Sequence, residues 1–225
     1  MRKACYICLE GTEGVGKTTQ TQKLYDYLRS KGYGVLLTKE PGTAHLPLTM
    51  KLREIMLSKE YNDELTVPAR EYLAQAIRSI HLEHLIVPAH AKFDYIVQDR
   101  GILSSYSYGD ACGNEFSFLK TMAEATVQGA NLSNRTFPYC PENIYDKVIY
   151  LRGSSKKNLA RAKTAKQEYT AGDAIEAKGD AFMQKCSDNM DEYSSYFNAC
   201  TIEVDGKSIE EVHQEILAAL ELKEE

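Results

Sequence analysis

The amino-acid sequence predicts an α/β fold in which helices flank a mostly parallel sheet. Short apolar runs alternate along the chain with longer segments whose apolar residues recur at helical spacing, as they do in βαβ units. A glycine-rich loop of the phosphate-binding type also lies directly between the first apolar run and the first helical segment. Together these observations predict a three-layer arrangement with an anion site at one edge of the sheet.

The predicted strands are five short apolar runs, at residues 6–9, 35–38, 95–97, 148–151 and 201–204. Between the first two lies a helix that carries Leu24 and Leu28 on one face and ends near Gly32, since glycine is common just after a last helical turn. A further helix is indicated by four apolar residues at helical spacing, Leu48, Leu52, Ile55 and Met56.

Later elements follow the same logic. Pro68 predicts the start of a long helix that runs towards Val87, and Ser208 with Glu211 forms a capping box that starts the last helix. Residues 131–146 predict a long connection. Residues 164–179 contain few large apolar side chains, so we expect a mobile segment that acts as a lid.

Composition limits what kind of protein this is. A length of 225 residues and a net charge of -5 suit a single domain, residues 1–225, without the basic surface of a general nucleic-acid binder. No apolar stretch approaches the ~20 residues of a membrane-spanning helix. The six cysteines follow no framework pattern and are expected to be reduced. We therefore expect a cytoplasmic protein with no nucleic-acid or membrane partner.

The strongest motif is a complete G-x-x-x-x-G-K-[ST] loop. Its backbone N–H groups and the following helix N-terminus are suited to nucleotide phosphates. Lys17 is expected to reach the β- and γ-phosphates, and the Thr18 hydroxyl to ligate Mg²⁺. The predicted ATP-binding residues are Gly11, Thr12, Glu13, Gly14, Val15, Gly16, Lys17, Thr18 and Thr19.

Three classes of protein use such a loop in different settings. A GTPase would need an N-K-x-D motif, which this sequence lacks, and a motor ATPase would add sensor segments. The remaining class is a short P-loop kinase. Asp99 and Arg100 close the third apolar run, where a carboxylate can hold Mg²⁺ and an arginine can span two phosphates. We therefore predict that Lys17, Asp99 and Arg100 form the catalytic group, with Thr18 and Asp99 at the metal.

Several motifs in order resemble the thymidylate kinase family across nearly the whole chain. They are the loop from Leu9 to Thr19, the segment from Thr38 to Thr43, Asp99-Arg100 with Ser104, Ser105 and Tyr108, and the segment from Leu159 to Lys163. The resemblance implies a five-stranded parallel sheet flanked by helices with a short lid. It also implies a homodimer that transfers a phosphoryl group from ATP to dTMP with Mg²⁺.

The resemblance also implies roles on the acceptor side. Glu13 faces the sugar and phosphate region, and Arg53 lies near the acceptor phosphate. Arg78 reads the pyrimidine edge, Arg100 binds the acceptor phosphate, and Tyr108 lies beside the deoxyribose. The implied substrate-binding set is Glu13, Glu40, Pro41, Arg53, Arg78, Arg100, Ser104, Ser105 and Tyr108.

The sequence departs from the family pattern at three positions. Ala74 replaces a phenylalanine that stacks on thymine, Ala174 replaces a lid arginine, and Gly109 replaces a glutamine. Arg161, Lys163 and Lys166 are alternative sources of the lid cation. Two other functions stay open at this point. They are a kinase of broad or modified-base specificity and a nucleotide-binding protein that lacks transfer chemistry.

Overall fold

A computed structural model describes residues 4–133, 140–154, 158 and 174–222. Its sheet has five strands, all parallel, in the order β2-β3-β1-β4-β5. The strands are β1 (Cys5–Glu10), β2 (Val35–Lys39), β3 (Tyr95–Asp99), β4 (Lys147–Arg152) and β5 (Cys200–Glu203). This confirms the predicted α/β fold and all five predicted strands.

Helices connect the strands in the described ranges. They are α1 (Lys17–Ser30), α2 (Pro47–Leu57), α3 (Val67–His81), α4 (Ile102–Ala111), α5 (Phe116–Ser133), α6 (Asp180–Tyr193) and α7 (Ile209–Ala219). A π-helical turn, Leu82–Ile86, and a short helical turn, Val87–Ala89, continue α3 towards the predicted end. Ser208 and Glu211 form the predicted capping box at the start of α7.

Two apolar cores lie on opposite faces of the sheet. One core contains Tyr6 and Cys8 of β1 together with α4, α5 and α6 residues, and the other contains Ile7 and Leu9 of β1 together with α1 and α7 residues. Successive strand residues point to opposite faces, so a single central strand supplies both cores. This is why the strand reads as a continuous apolar run.

The register places the site at one edge of the sheet. Leu9 of β1 pairs with Asp99 of β3, and Lys39 of β2 pairs with the same aspartate. Because parallel strands end at a common edge, the loops after β1, β2 and β3 meet there. The phosphate loop, the segment after Lys39 and Arg100 are therefore neighbours in space.

One boundary differs from expectation. The predicted connection at 131–146 begins too early, because α5 continues to Ser133 and a short 3₁₀ turn covers Pro141–Asn143. The apolar spacing of Leu119, Ala123, Val127 and Ala130 against the core sustains this helix.

The six cysteines are free thiols, as expected.

Residues 164–173 of the predicted lid lie outside the described residues, so a mobile lid stays a prediction. None of the helices in the described part of the chain combines the length and hydropathy needed to cross a bilayer.

Candidate active site

The phosphate loop turns tightly between β1 and α1. Gly11, Gly14 and Gly16 have positive φ angles of 147°, 73° and 100°, which side chains rarely adopt. A Cβ on Gly11 would lie 2.5 Å from the backbone oxygen of Leu151. The glycines of the motif are thus required by backbone conformation and, at Gly11, by the close approach of β4.

Lys17 lies under this loop and is buried. Its ammonium donates to the Thr12 carbonyl oxygen at 2.6 Å. Burial, followed by repulsion from Arg100, lowers the pKa of Lys17 from 10.5 to about 7. A phosphate bound in the loop would add negative charge beside this buried ammonium and would favour its protonated form.

Thr18 and Asp99 lie together where a metal site was predicted. The Thr18 hydroxyl donates to Asp99 Oδ2 at 2.7 Å. Asp99 Oδ1 is buried and has no hydrogen-bond partner among the residues the structure describes. Mg²⁺ prefers oxygen ligands, and the Thr18 hydroxyl and the Asp99 carboxylate supply them. A bound Mg²⁺ would also satisfy the buried Asp99 Oδ1, so these residues fit the metal.

Arg100 lies between the phosphate loop and a neighbouring cleft. Its guanidinium donates to the Gly11 carbonyl at 3.1 Å, to Glu13 at 3.1 Å and to Ser104 Oγ at 3.3 Å. The ring of Tyr108 lies under the guanidinium, with its centroid 5.2 Å away. Arg100 therefore contacts both halves of the predicted site.

The backbone of Arg100 is held in an uncommon conformation. Its φ is 66°, and its N–H donates to the Leu9 carbonyl while Gln98 Nε2 donates to its carbonyl at 2.8 Å. Gln98 in turn accepts from the Tyr6 hydroxyl. Left-handed conformations of non-glycine residues cost about 1 kcal/mol or more and recur at functional sites. Buried hydrogen bonds from β1 and β3 thus fix the direction of this arginine.

The cleft beside Arg100 encloses a cavity of about 160 Å³. Its walls come from the segment after β2 and from α2, α3 and α4. All nine predicted substrate-binding residues line this cleft, and Glu13 reaches it from the phosphate loop. The structure therefore brings the whole predicted set into one cavity, while the roles of its members stay predictions.

Glu40 and Arg78 form a buried ion pair on the floor of the cleft. Arg78 Nη2 lies 2.9 Å from the Glu40 carboxylate, and His81 Nδ1 lies 3.0 Å from its other oxygen. Burial alone would raise the pKa of Glu40, but Arg78 and His81 outweigh it and the pKa lies below its ordinary value. The Thr38 hydroxyl of β2 lies 2.9 Å from His81 Nε2, so β2 and α3 together hold the Glu40 carboxylate that pairs with Arg78. Arg78 keeps its Nη1 end towards the cleft, 3.5 Å from Ser105 Oγ.

Arg53 lines the cleft from α2, and Ser104 lines it from α4. Arg53 Nη1 donates to the Pro41 carbonyl at 2.8 Å. Ser104 donates through its backbone N–H and its hydroxyl to the buried carboxylate of Glu10, at 3.2 and 2.5 Å. Burial raises the pKa of Glu10. This contact ties the first turn of α4 to the end of β1.

Sequence reasoning did not identify several residues of the site. Glu10 accepts a hydrogen bond from Ser104, and His81 contacts the Glu40 carboxylate. Arg70 and Glu71 line the cleft itself. Helical spacing could have indicated Glu71. It lies three residues before Ala74 and seven before Arg78, so the three share one face of α3.

The structure describes all three residues that depart from the family pattern, Ala74, Gly109 and Ala174. Ala74 lines the cleft from α3 and presents only a methyl group to it. A Cβ on Gly109 would lie 2.6 Å from the end of the Leu119 side chain, so any larger residue here would displace Leu119 where α4 and α5 meet. Ala174 is buried, and its N–H donates to the Leu57 carbonyl at 3.0 Å. The alternative lid cations, Arg161, Lys163 and Lys166, lie outside the described residues.

Comparison with known proteins identifies one family. The family model described as "Thymidylate kinase" matches residues 9–216. A thymidylate kinase of Acholeplasma laidlawii is 30% identical over 94% of this chain and 96% of that protein. One from Synechococcus is 29% identical over 89% of each chain. One from Acinetobacter baylyi is 39% identical, but that match spans only 46% of this chain and 50% of the relative.

A solved structure agrees with the sequence matches. The crystal structure of thymidylate kinase from Ehrlichia chaffeensis superimposes with a TM-score of 0.70, at 19% identity, over 97% of this chain and 99% of that one. At this identity the likeness concerns the fold, which is a five-stranded parallel sheet flanked by helices.

Proposed function

The chain belongs to the thymidylate kinase family, and we propose that it catalyses transfer of the γ-phosphoryl group of ATP to dTMP, giving ADP and dTDP. The observation that carries this proposal is the position of Arg100. Its guanidinium contacts Gly11 and Glu13 of the phosphate loop and Ser104 of the adjoining cleft. One cation therefore lies between the binding regions of two anionic nucleotides.

Positioning and charge stabilisation account for the chemistry. The second pKa of a phosphate monoester is ~6, so the attacking oxygen of dTMP is largely ionised near pH 7. A general base is unnecessary, and Asp99 is not assigned that role. Lys17 and Arg100 neutralise the negative charge that is shared by donor and acceptor in the transition state.

We assign Mg²⁺ to Thr18 and Asp99. The metal, when bound, neutralises and orients the phosphates of ATP. The 2.7 Å contact between the two side chains and the unsatisfied Asp99 Oδ1 support the assignment. Lys17 donates from the floor of the loop, and backbone N–H groups of the loop hold the remaining phosphate oxygens.

The acceptor site follows from the cleft. Arg53 and Arg100 bind the acceptor phosphate, Tyr108 packs beside the deoxyribose, and Arg78 contacts the base. Residues 164–179 act as a lid that excludes water from the γ-phosphate. Within this segment the Ala174 N–H donates to the carbonyl of Leu57, which lines the cleft. The organisation of residues 1–225 as one domain and the cytoplasmic location stay predictions.

A substitution of Lys17 tests the phosphate-loop assignment. Lys17→Ala should lower kcat for dTMP phosphorylation by about 10³-fold, because a buried cation at the transferring group is lost. The measurement is ADP release coupled to an oxidation of NADH, with folding checked by circular dichroism. The matched control is Lys23→Ala on the same helix, a partly exposed lysine that pairs with Glu210. A folded Lys17→Ala protein that turns over like the control would refute the assignment.

The homodimer implied by the family resemblance fits an exposed apolar surface. Leu48 and Ile55 lie seven residues apart on one face of α2 and are 56% and 41% exposed, and Tyr72 of the adjacent α3 is 52% exposed. Such apolar side chains on neighbouring helices suit a second copy of the same chain.

The oligomeric state tests this surface. Light scattering after size exclusion should give twice the 25.3 kDa mass of one chain. Combined Leu48→Glu and Ile55→Glu substitutions should give a monomer, because charge is buried without a partner. Ile209→Glu, at an exposed site on α7, is the control and should remain dimeric. A monomeric wild-type protein would contradict the proposal.

A further inference from the structure

The side of the cleft that faces the base contains a carboxylate that no role above uses. Glu71 lies on α3, lines the cleft, and is 5% exposed. Its position places it on the same helical face as Ala74 and Arg78. Ala74 lies between them on the helix and lines the same cleft with a side chain of one methyl group.

Glu71 is held in a defined orientation. Its Oε1 accepts from Gln75 Nε2 at 2.6 Å and from Ser105 Oγ at 3.2 Å. Ser105 also lies 3.5 Å from Arg78 Nη1. Arg78, Ser105 and Glu71 thus form a short polar row along the wall, with a fixed cation at one end and a carboxyl at the other.

The two ends of this row have opposite hydrogen-bonding character. A guanidinium only donates, and an ionised carboxylate only accepts. Thymine and uracil present an acceptor, O4, beside a donor, N3–H. Cytosine presents the reverse order, an N4 amino donor beside the N3 acceptor. An arginine followed by a carboxylate therefore matches the edge of thymine and uracil and mismatches that of cytosine.

We propose that Glu71 determines acceptor-base specificity by accepting a hydrogen bond from N3–H of the base while Arg78 donates to O4. The inference rests on the proposed function, since it assumes a pyrimidine nucleotide in this cleft. It assigns base recognition to a polar row on α3 and α4, where the chain lacks an aromatic side chain at Ala74. Buried polar groups discriminate strongly because a wrong base leaves them unpaired.

The test compares dTMP with dCMP. Glu71→Gln keeps the shape but replaces one accepting oxygen by a donating amide, and Glu71→Ala removes the group. Each should lower the ratio of kcat/KM for dTMP to that for dCMP by about tenfold while KM for ATP stays unchanged. Because burial raises the pKa of Glu71, the assays are run at pH 8 to favour the carboxylate. Glu83→Gln, an exposed carboxylate just beyond α3, is the control.

The outcomes separate two failures. A merely structural Glu71 would lower turnover of both nucleotides in parallel, and an unchanged ratio in either folded variant overturns the inference while the kinase activity stands. A wild-type protein that transfers nothing to dTMP overturns the proposed function itself. Since Glu71→Gln is nearly isosteric, it keeps the test valid if the alanine variant fails to fold.

Discussion

At the scale of single residues, the protonation of Lys17 couples the loop to its ligand. The ammonium is buried and donates a hydrogen bond to the carbonyl of Thr12. Burial, followed by repulsion from Arg100, lowers the pKa of Lys17 to about 7. A bound triphosphate would add several negative charges beside it and favour the protonated form. Nucleotide binding above pH 7 should therefore take up a proton.

Proton uptake can be measured by calorimetric titration with Mg²⁺ and ATP in buffers of different ionisation enthalpy. At pH 8 Lys17 is mostly neutral before binding, so close to one proton should be taken up, whereas at pH 6 uptake should be near zero. Lys17→Arg is the control, because an arginine is charged at both values. Equal uptake at the two pH values, or the same uptake by the arginine variant, would show that Lys17 is not the group that titrates.

Residues of the phosphate loop could be predicted from sequence because their function depends on local spacing. Lys17 and Thr18 directly follow Gly16 at the start of α1, so the conformation of the loop fixes the positions of both residues. Glu71 and His81 were missed because their roles depend on partners from other elements, Ser105 for one and Glu40 for the other. Nothing in the helical pattern of α3 specifies those partners.

At the scale of elements, the fit between β4 and the phosphate loop limits what can replace Gly11. Its φ is 147° and an added Cβ would meet the Leu151 carbonyl oxygen at 2.5 Å, which is backbone and cannot move aside easily. Gly129 in α5 has no atom within 4 Å of such a Cβ. The same substitution should thus have opposite effects at these two positions.

Chemical denaturation tests the contrast. Gly129→Ala should raise the free energy of unfolding by roughly 0.5–1 kcal/mol, since alanine is the better helix former. Gly11→Ala should lower it by about 1–3 kcal/mol through backbone strain and should weaken ATP binding. An equally stable Gly11→Ala protein with unchanged ATP affinity would mean that the loop tolerates a side chain where β4 approaches it.

The elements themselves were largely predictable. The strands and the start of α7 followed from apolar runs and the capping box, which are local signals. The end of α5 was not, because core contacts hold the helix as far as Ala130 and its last turn continues to Ser133. Helix formation is cooperative, so a helix that is held by core packing can carry its last turn past the final buried residue.

At the scale of the whole molecule, the sheet gathers positive charge at one edge of an acidic protein. The net charge is -5, yet Arg53, Arg78 and Arg100 all line one cleft, and Lys17 lies beneath the adjoining loop. Local cations of this kind attract anionic ligands whatever the total charge. The parallel topology produces this concentration, because the loops after β1, β2 and β3 meet at the same edge.

The central claim is that this edge transfers phosphate from ATP to dTMP. The most direct measurement is separation of the nucleotides after incubation of the wild-type protein with ATP, Mg²⁺ and each of dTMP, dUMP, dCMP, dAMP and dGMP. The account predicts equal amounts of ADP and dTDP, with dTMP the best acceptor and dCMP a poor one. Failure to form dTDP, or ADP release that does not depend on an acceptor, would contradict it.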